Sequence, residues 1–240
     1  MIATNTNEFT RRREYARADM ARYVEVIDLV NPQFQRKFIE LRLSGYGARD
    51  NTFLHANVGG LLKNSPVVCG YNGSINCFVL GNPNIIAPKL LENRPNASSV
   101  VLDDSKIWIT GGFHTRKTTE FFSLDQETIN GPELPITISG HCMVQVDAQT
   151  IYIIGGDEGN LVNIGRNLTW KVDPTNNFKM EPGPSLIEGR REHACATMQV
   201  NGRIFIVAAG GRKKSSVELL DTSSPEEGWK LGAYHIPMLV

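Results

Sequence analysis

Short apolar runs that end at glycine recur four times along this chain. Each run is rich in β-branched and aromatic residues and stops at a small residue followed by glycine, in segments 67–70, 107–112, 151–156 and 204–211. The closing glycines, Gly70, Gly112, Gly156 and Gly211, are 42, 44 and 55 residues apart. A period in this range predicts stacked or radially arranged supersecondary units.

Other short apolar stretches flank each of these runs. One precedes it, and a β-rich run follows after a polar loop, in segments 75–80, 119–125, 168–173 and 217–221. Turns rich in Gly, Pro, Asn and Asp separate the stretches, which predicts about four short strands per unit. The nearly continuous apolar character of the glycine-closed run is typical of a strand buried on both faces. A four-stranded sheet repeated at this period indicates a propeller blade. A helical solenoid is the main alternative, but the sequence after residue 45 has no apolar stripe with the helical period.

An apolar run closed by Gly-Gly, a β-rich run and then a tryptophan such as Trp229 together resemble the kelch repeat. The resemblance covers residues 56–240, with repeats at about 56–97, 98–140, 141–193 and 194–240. Two features depart from it: only Trp229 stands at the expected tryptophan position, and the first repeat has Cys69-Gly70 in place of the glycine pair. The resemblance implies an all-β fold, a β-propeller of four-stranded blades.

The N-terminal part of the chain predicts half of a further blade. Segment 24–28 (VEVID) copies the third-strand phrase of segment 217–221 (VELLD), and 38–41 could follow as a fourth strand. We therefore expect a partial blade at 23–45 within a propeller domain at 23–240, preceded by a charged lead-in at 1–22 that is disordered or a short helix. Four complete blades plus a half form an incomplete ring. Truncation of a longer protein is favoured over closure by oligomerisation, because an open ring leaves strand edges unpaired.

Composition narrows the classes of partner. The 240 residues include 25 Lys and Arg and 25 Asp and Glu, so the formal net charge is zero, which argues against a nucleic-acid surface. The sequence has no apolar run long enough for a membrane span and no apolar core of a signal peptide at its start. The second observation favours the cytoplasm. Three glycosylation sequons, at 72–74, 96–98 and 167–169, leave secretion open.

The four cysteines form two pairs with different expectations. Cys69 and Cys77 end and begin neighbouring strands, and a short loop between them would place them opposite each other, so a disulfide and two buried thiols stay equally open. A disulfide there would add to the case for secretion. Cys142 and Cys195 lie in innermost strands of different blades, one residue out of phase when aligned through Asp147 and Asn201. We expect these two to be buried thiols that face different ways.

No constellation in the sequence favours catalysis. His141 and His193 both open innermost strands, which could suggest ligands facing one channel, but no third ligand has matching spacing. We expect them to be structural residues of the repeat that bond to neighbouring backbone, and we expect no metal, cofactor or catalytic set. The chain also has no Gly-x-Ser-x-Gly elbow.

The resemblance instead implies a binding role for loops on one face of the ring. Candidate contact residues on the loops between strands and between blades are Tyr71, Arg94, Arg116, Arg190, Arg191 and Arg212. Arginine forks suit carboxylates, so the expected partner is an acidic, extended protein segment. Two alternatives remain: a propeller-borne enzyme, oxidase-like or carbohydrate-isomerising, and a truncated fragment of a longer kelch protein.

Overall fold

The protein is an all-β propeller built from consecutive antiparallel sheets. The computed structural model describes residues 58–70, 74–80, 82, 84–113, 117–158 and 165–235, and the backbone of two strands at 23–27 and 36–40. Within this part of the chain the one helical element is a 3-10 turn at Pro225–Glu227. The predicted all-β class and blade arrangement are confirmed.

Four sheets follow one another in chain order, each a simple meander. Blade I consists of β3 (Val58–Leu62), β4 (Ser65–Cys69) and β5 (Cys77–Val79), and blade II of β6 (Ser98–Leu102), β7 (Lys106–Thr110), β8 (Thr119–Ser123) and β9 (Ile129–Asn130). Blade III consists of β10 (Cys142–Asp147), β11 (Thr150–Ile154), β12 (Thr169–Asp173) and β13 (Lys179–Pro182). Blade IV consists of β14 (Ala194–Val200), β15 (Arg203–Ala209), β16 (Ser216–Asp221) and β17 (Lys230–His235).

The first strand of each sheet is innermost, and these strands neighbour one another in succession: β3 packs on β6, β6 on β10 and β10 on β14. Blade I departs from the expected four strands, because the described part of segment 81–97 adds no strand to it. At the N-terminus, β1 (Tyr23–Ile27) and β2 (Arg36–Glu40) pair antiparallel in a separate two-stranded sheet. Both strands fall within segment 23–45, for which the repeated phrase predicts a partial blade.

The glycine-closed strands form the seams between blades because they are apolar on both faces. In β7, Ile107 and Ile109 pack against blade I, whereas the intervening Trp108 packs against blade III. All three are fully buried. The same alternation in β11 directs Ile153 toward blade II and Ile154 toward blade IV. Two-sided burial therefore explains the continuous apolar runs seen in the sequence.

Blade IV has one face that the described residues leave uncovered. Met198 and Val200 of β14 are 39% and 43% exposed, whereas Val144 of β10 is buried between blades. Trp229 lies on the opposite side, just before β17, and its indole Nε1 donates to the carbonyl of Pro184 at 2.9 Å. Apolar packing thus holds blade IV to blade III, whereas no described residue covers the far face of blade IV.

The paired glycines permit a turn that no other residue fits. Gly155 has φ +61°, and a Cβ there would lie 2.6 Å from the carbonyl oxygen of Arg190 and 2.8 Å from the His193 ring. In blade I the equivalent of this first glycine is Gly70, whose amide bonds to Asn76 just as the amide of Gly111 bonds to Thr118. Gly70 therefore corresponds to the first glycine of the pair and not to the closing one.

Candidate carboxylate-binding site

The arginines expected on a solvated loop face are mostly inside the protein. Arg94 and Arg190 are 0% exposed and Arg191 is 6% exposed. Arg212 is exposed as expected. Tyr71 and Arg116 lie outside the described residues. The expectation that Arg94 and Arg190 are available to a partner is therefore wrong. The guanidinium group of each is buried and hydrogen-bonded within the fold.

Arg190 connects blade III to blade IV. Its Nε and Nη2 both donate to Oε1 of Glu218, at 3.0 and 2.8 Å. Its Nη1 donates to the carbonyls of Gly210 and Ser216, both at 2.8 Å. The Glu218 carboxylate also accepts the backbone amides of residues 187 and 188. Each charge is thus compensated by a counter-ion and by hydrogen bonds, which burial of an ion pair requires.

Arg94 repeats this arrangement between blades I and II. Its Nε donates to Glu120, and its Nη1 donates to the carbonyls of Gly111 and Thr118 at 3.0 and 2.8 Å. Glu120 in turn accepts the amides of residues 91 and 92. The two sites share a sequence signal that the predictions did not include: Glu-x-Arg in the connection (92–94, 188–190) and Thr/Ser-x-Glu at the third strand (118–120, 216–218).

Arg191 differs from its neighbour because part of its guanidinium has no partner. Its Nη1 donates to Oδ2 of Asp157 at 2.6 Å, and Oδ1 of Asp157 accepts the Ser139 hydroxyl at 2.7 Å. Its Nε and Nη2 are buried and make no hydrogen bond with the described residues. These two atoms form one edge of the planar guanidinium, the edge that in Arg190 holds the Glu218 carboxylate. The edge has the donor geometry that suits a carboxylate, and both of its atoms are shielded from solvent.

Arg212 lies beside this guanidinium edge. Its backbone amide donates to the carbonyl oxygen of Arg191 at 3.0 Å, which places the turn after β15 directly against the connection between blades III and IV. The Arg212 side chain is exposed. One buried and one exposed arginine therefore adjoin each other on the loop side of blade IV. Nη1 of Arg191 is already ion-paired with Asp157 and, at 3.4 Å, with Glu192, so the charge that would attract an anionic ligand is that of Arg212.

His141 and His193 occupy equivalent positions, each just before an innermost strand. Nε2 of His141 lies 2.7 Å from Oγ1 of Thr110, and Nε2 of His193 lies 3.2 Å from Sγ of Cys142. Both Nε2 atoms thus contact side chains and not the expected backbone groups, although the predicted repeat position is right. Burial, aided by His193 and opposed by Asp157, lowers the pKa of His141 to about 3.

Burial, aided by the charge of Arg190, also lowers the pKa of His193 to about 4. Both imidazoles are therefore neutral at neutral pH. Among the described residues no group of three His, Cys, Asp or Glu side chains could hold a metal ion. The same part of the chain contains no helix of the length and hydropathy that crossing a membrane requires.

Both cysteine pairs are disulfides in the structure. Cys69 and Cys77 are directly paired across β4 and β5, the register that the loop length predicted, with Cα atoms 4.1 Å apart. Cys142 and Cys195 are also joined, with Cα atoms 6.1 Å apart, so the expectation of two free thiols was wrong. They do lie on opposite faces of their own sheets, but opposite faces of successive blades meet in one seam.

No family model matches the sequence, and no curated protein is similar enough to count as a relative. Among solved structures, the one titled "Structure of YjhT" is similar at 13% sequence identity with a TM-score of 0.45. The matched region covers 60% of this chain and 52%, about half, of that chain.

Proposed function

We propose that this chain is a protein-interaction module, a kelch-type propeller that binds an acidic, extended segment of a partner through loops on one face. Residues 23–240 form the propeller and residues 1–22 a polar lead-in. The observation that carries the binding role is the unpartnered Nε–Nη2 edge of Arg191. Tyr71 and Arg116, on neighbouring loops of the repeat, complete the proposed contact set with Arg212.

An unpartnered buried donor is costly, and a ligand that supplies the acceptor removes that cost. Asp157 holds the Arg191 guanidinium through Nη1, so the free edge is oriented before the ligand arrives. Arg190 shows within the same structure what this edge accepts, since Glu218 occupies the equivalent two atoms. A glutamate or aspartate side chain of a partner would reach Arg191 as the groups over that edge move aside, and Arg212 would attract further acidic residues.

The test is anisotropy of a fluorescein-labelled peptide of alternating Glu and Gly. The variant Arg191→Lys keeps a positive charge beside Asp157 but lacks the bidentate edge. We expect it to lose at least roughly tenfold in affinity, in line with truncated charge pairs at interfaces. The matched control is Lys171→Gln, which removes an exposed cation from β12 and should leave affinity unchanged. A Gln-Gly peptide bound as tightly as the Glu-Gly peptide, or wild-type affinity in Arg191→Lys, would refute the proposal.

A further inference from the structure

The two disulfides differ in what they hold together. Cys69–Cys77 joins adjacent strands of one sheet, eight residues apart, where strand pairing already fixes both residues. Cys142–Cys195 joins the innermost strands of blades III and IV across 53 residues. Among the described residues it is the one disulfide that joins two blades. Breaking it therefore releases a constraint that no backbone pairing between those two strands replaces.

The surroundings of Cys142–Cys195 suit thiol–disulfide exchange. Nε2 of His193 lies 3.2 Å from Sγ of Cys142. An N–H at Nε2 would stabilise a thiolate at that sulfur, which makes Cys142 the better leaving group. Cys142 is buried, whereas Cys195 is partly exposed, so an incoming thiolate meets Cys195 first. The described residues give Cys69 and Cys77 no such neighbour, and both of these are buried.

We propose that Cys142–Cys195 is a site of reversible exchange with small thiols, positioned by His193. A thiolate of the reagent attacks Sγ of Cys195, the sulfur–sulfur bond breaks, and its electron pair leaves on Sγ of Cys142, where the His193 N–H stabilises it. A second reagent thiolate then attacks the mixed disulfide at the reagent's sulfur, which releases the oxidised reagent and the Cys195 thiolate. The two cysteines take up the protons that the two reagent thiols gave up. Overall two reagent thiols are oxidised and one protein disulfide is reduced.

Reduction would loosen the connection that precedes β14. The amide of Glu192 donates to the carbonyl of Gly140 at 2.7 Å. The disulfide follows closely, because Cys195 lies three residues after Glu192 and Cys142 two residues after Gly140. Those two links tie the start of β14 to the start of β10. Without the covalent one, segment 190–195 is held to residues 140–142 by hydrogen bonds and packing. Its amides should then exchange faster with solvent.

The test follows the oxidised full-length protein in a titration with glutathione, with alkylation and peptide mapping of each cysteine. We expect Cys142–Cys195 to open before Cys69–Cys77, and the transient mixed disulfide to map to Cys195. Hydrogen exchange of segments 140–142 and 190–195 should rise in the reduced protein. Earlier opening of Cys69–Cys77, thiolation at Cys142, or unchanged exchange in both segments would each overturn the proposal.

His193→Phe tests the positioning role, and His141→Phe is its matched control because His141 occupies the same repeat position beside Thr110. We expect His193→Phe to slow opening of Cys142–Cys195 at least roughly tenfold while His141→Phe opens at the wild-type rate, both being checked for folding by circular dichroism. Equal rates in the two variants would remove His193 from the scheme. Should either variant fail to fold, the order in which the two disulfides of the wild-type protein open still tests whether Cys142–Cys195 is the exchange site.

Discussion

Nε and Nη2 of Arg190 both donate to Oε1 of Glu218, at 3.0 and 2.8 Å, and both side chains are fully buried. This pair fastens the connection after blade III to the third strand of blade IV. Glu120 and Arg94 fasten blade II to the connection before it in the same way. Removing one member of such a buried pair is strongly destabilising, because the other charge is left buried without a counter-ion.

The variant Glu218→Gln should therefore lower the free energy of unfolding by about 3–5 kcal/mol, because it leaves the Arg190 charge buried without its counter-ion. Urea unfolding measures the change. The control is Glu181→Gln, which breaks the exposed Lys179–Glu181 pair on β13 and should have no measurable effect, as is typical of surface pairs. Equal stability of the two variants would show that the buried pair contributes nothing particular to the fold.

Reversing the charge of two arginines from the candidate contact set should have opposite consequences. Arg190→Glu would place a carboxylate against the buried Glu218, and we expect the variant to lose its cooperative thermal transition or to be insoluble. Arg212→Glu changes an exposed side chain and should leave the melting temperature nearly unaltered. Differential scanning calorimetry distinguishes the two. A normal melting temperature in Arg190→Glu would mean that this side chain is accessible after all.

These arginines also show where sequence reasoning succeeded and where it failed. The period of the glycine-closed runs was enough to predict the blades, and loop length was enough to place Cys69 opposite Cys77. Burial of Arg190 was missed because arginine in a connection is ordinarily exposed, and its partner Glu218 is 28 residues away. The repeated Glu-x-Arg and Thr/Ser-x-Glu pairs were visible, but only the packing of a connection against the next blade shows that they meet.

The Cys142–Cys195 bridge was missed for a different reason. The sequence indicated correctly that the two residues point to opposite faces of their sheets. What it did not reveal is that the face of blade III and the opposite face of blade IV close on each other. Arg191 likewise could be named as a candidate, but its free edge depends on Asp157, 34 residues away, so no local pattern could distinguish it from Arg190.

Two glycine variants should separate backbone strain from crowding. Gly155 and Gly202 both have positive φ, +61° and +77°, but a Cβ at Gly202 meets nothing within 4 Å. Gly202→Ala should therefore lower the free energy of unfolding by about 1–2 kcal/mol, the strain of an L-residue in that region. Gly155→Ala should cost roughly 1–3 kcal/mol more, because its Cβ meets the Arg190 carbonyl and the His193 ring. Equal losses in urea unfolding would mean that the seam has room to adjust.

Acidification should destabilise the protein through its two buried histidines. Burial lowers the pKa of His141 to about 3 and that of His193 to about 4, from an ordinary value of 6.5. Between pH 6.5 and about 4 the unfolded chain therefore binds protons that the folded protein does not. The free energy of unfolding should fall as the pH drops through this window, and the slope that the two histidines contribute should fade within about one pH unit above it.

His193 and Asp157 act on the charge of His141, and Arg190 acts on that of His193. Asp157 and Arg190 are both buried in the folded seam. Urea unfolding at pH 7 and pH 5 measures the slope, with His141→Gln as the comparison. Glutamine does not titrate, so this variant should be less stable at pH 7, where its bond to Thr110 is altered, yet should lose less stability on going to pH 5 than the wild-type protein does. A loss as large as that of the wild type would place the source of acid sensitivity elsewhere in the protein.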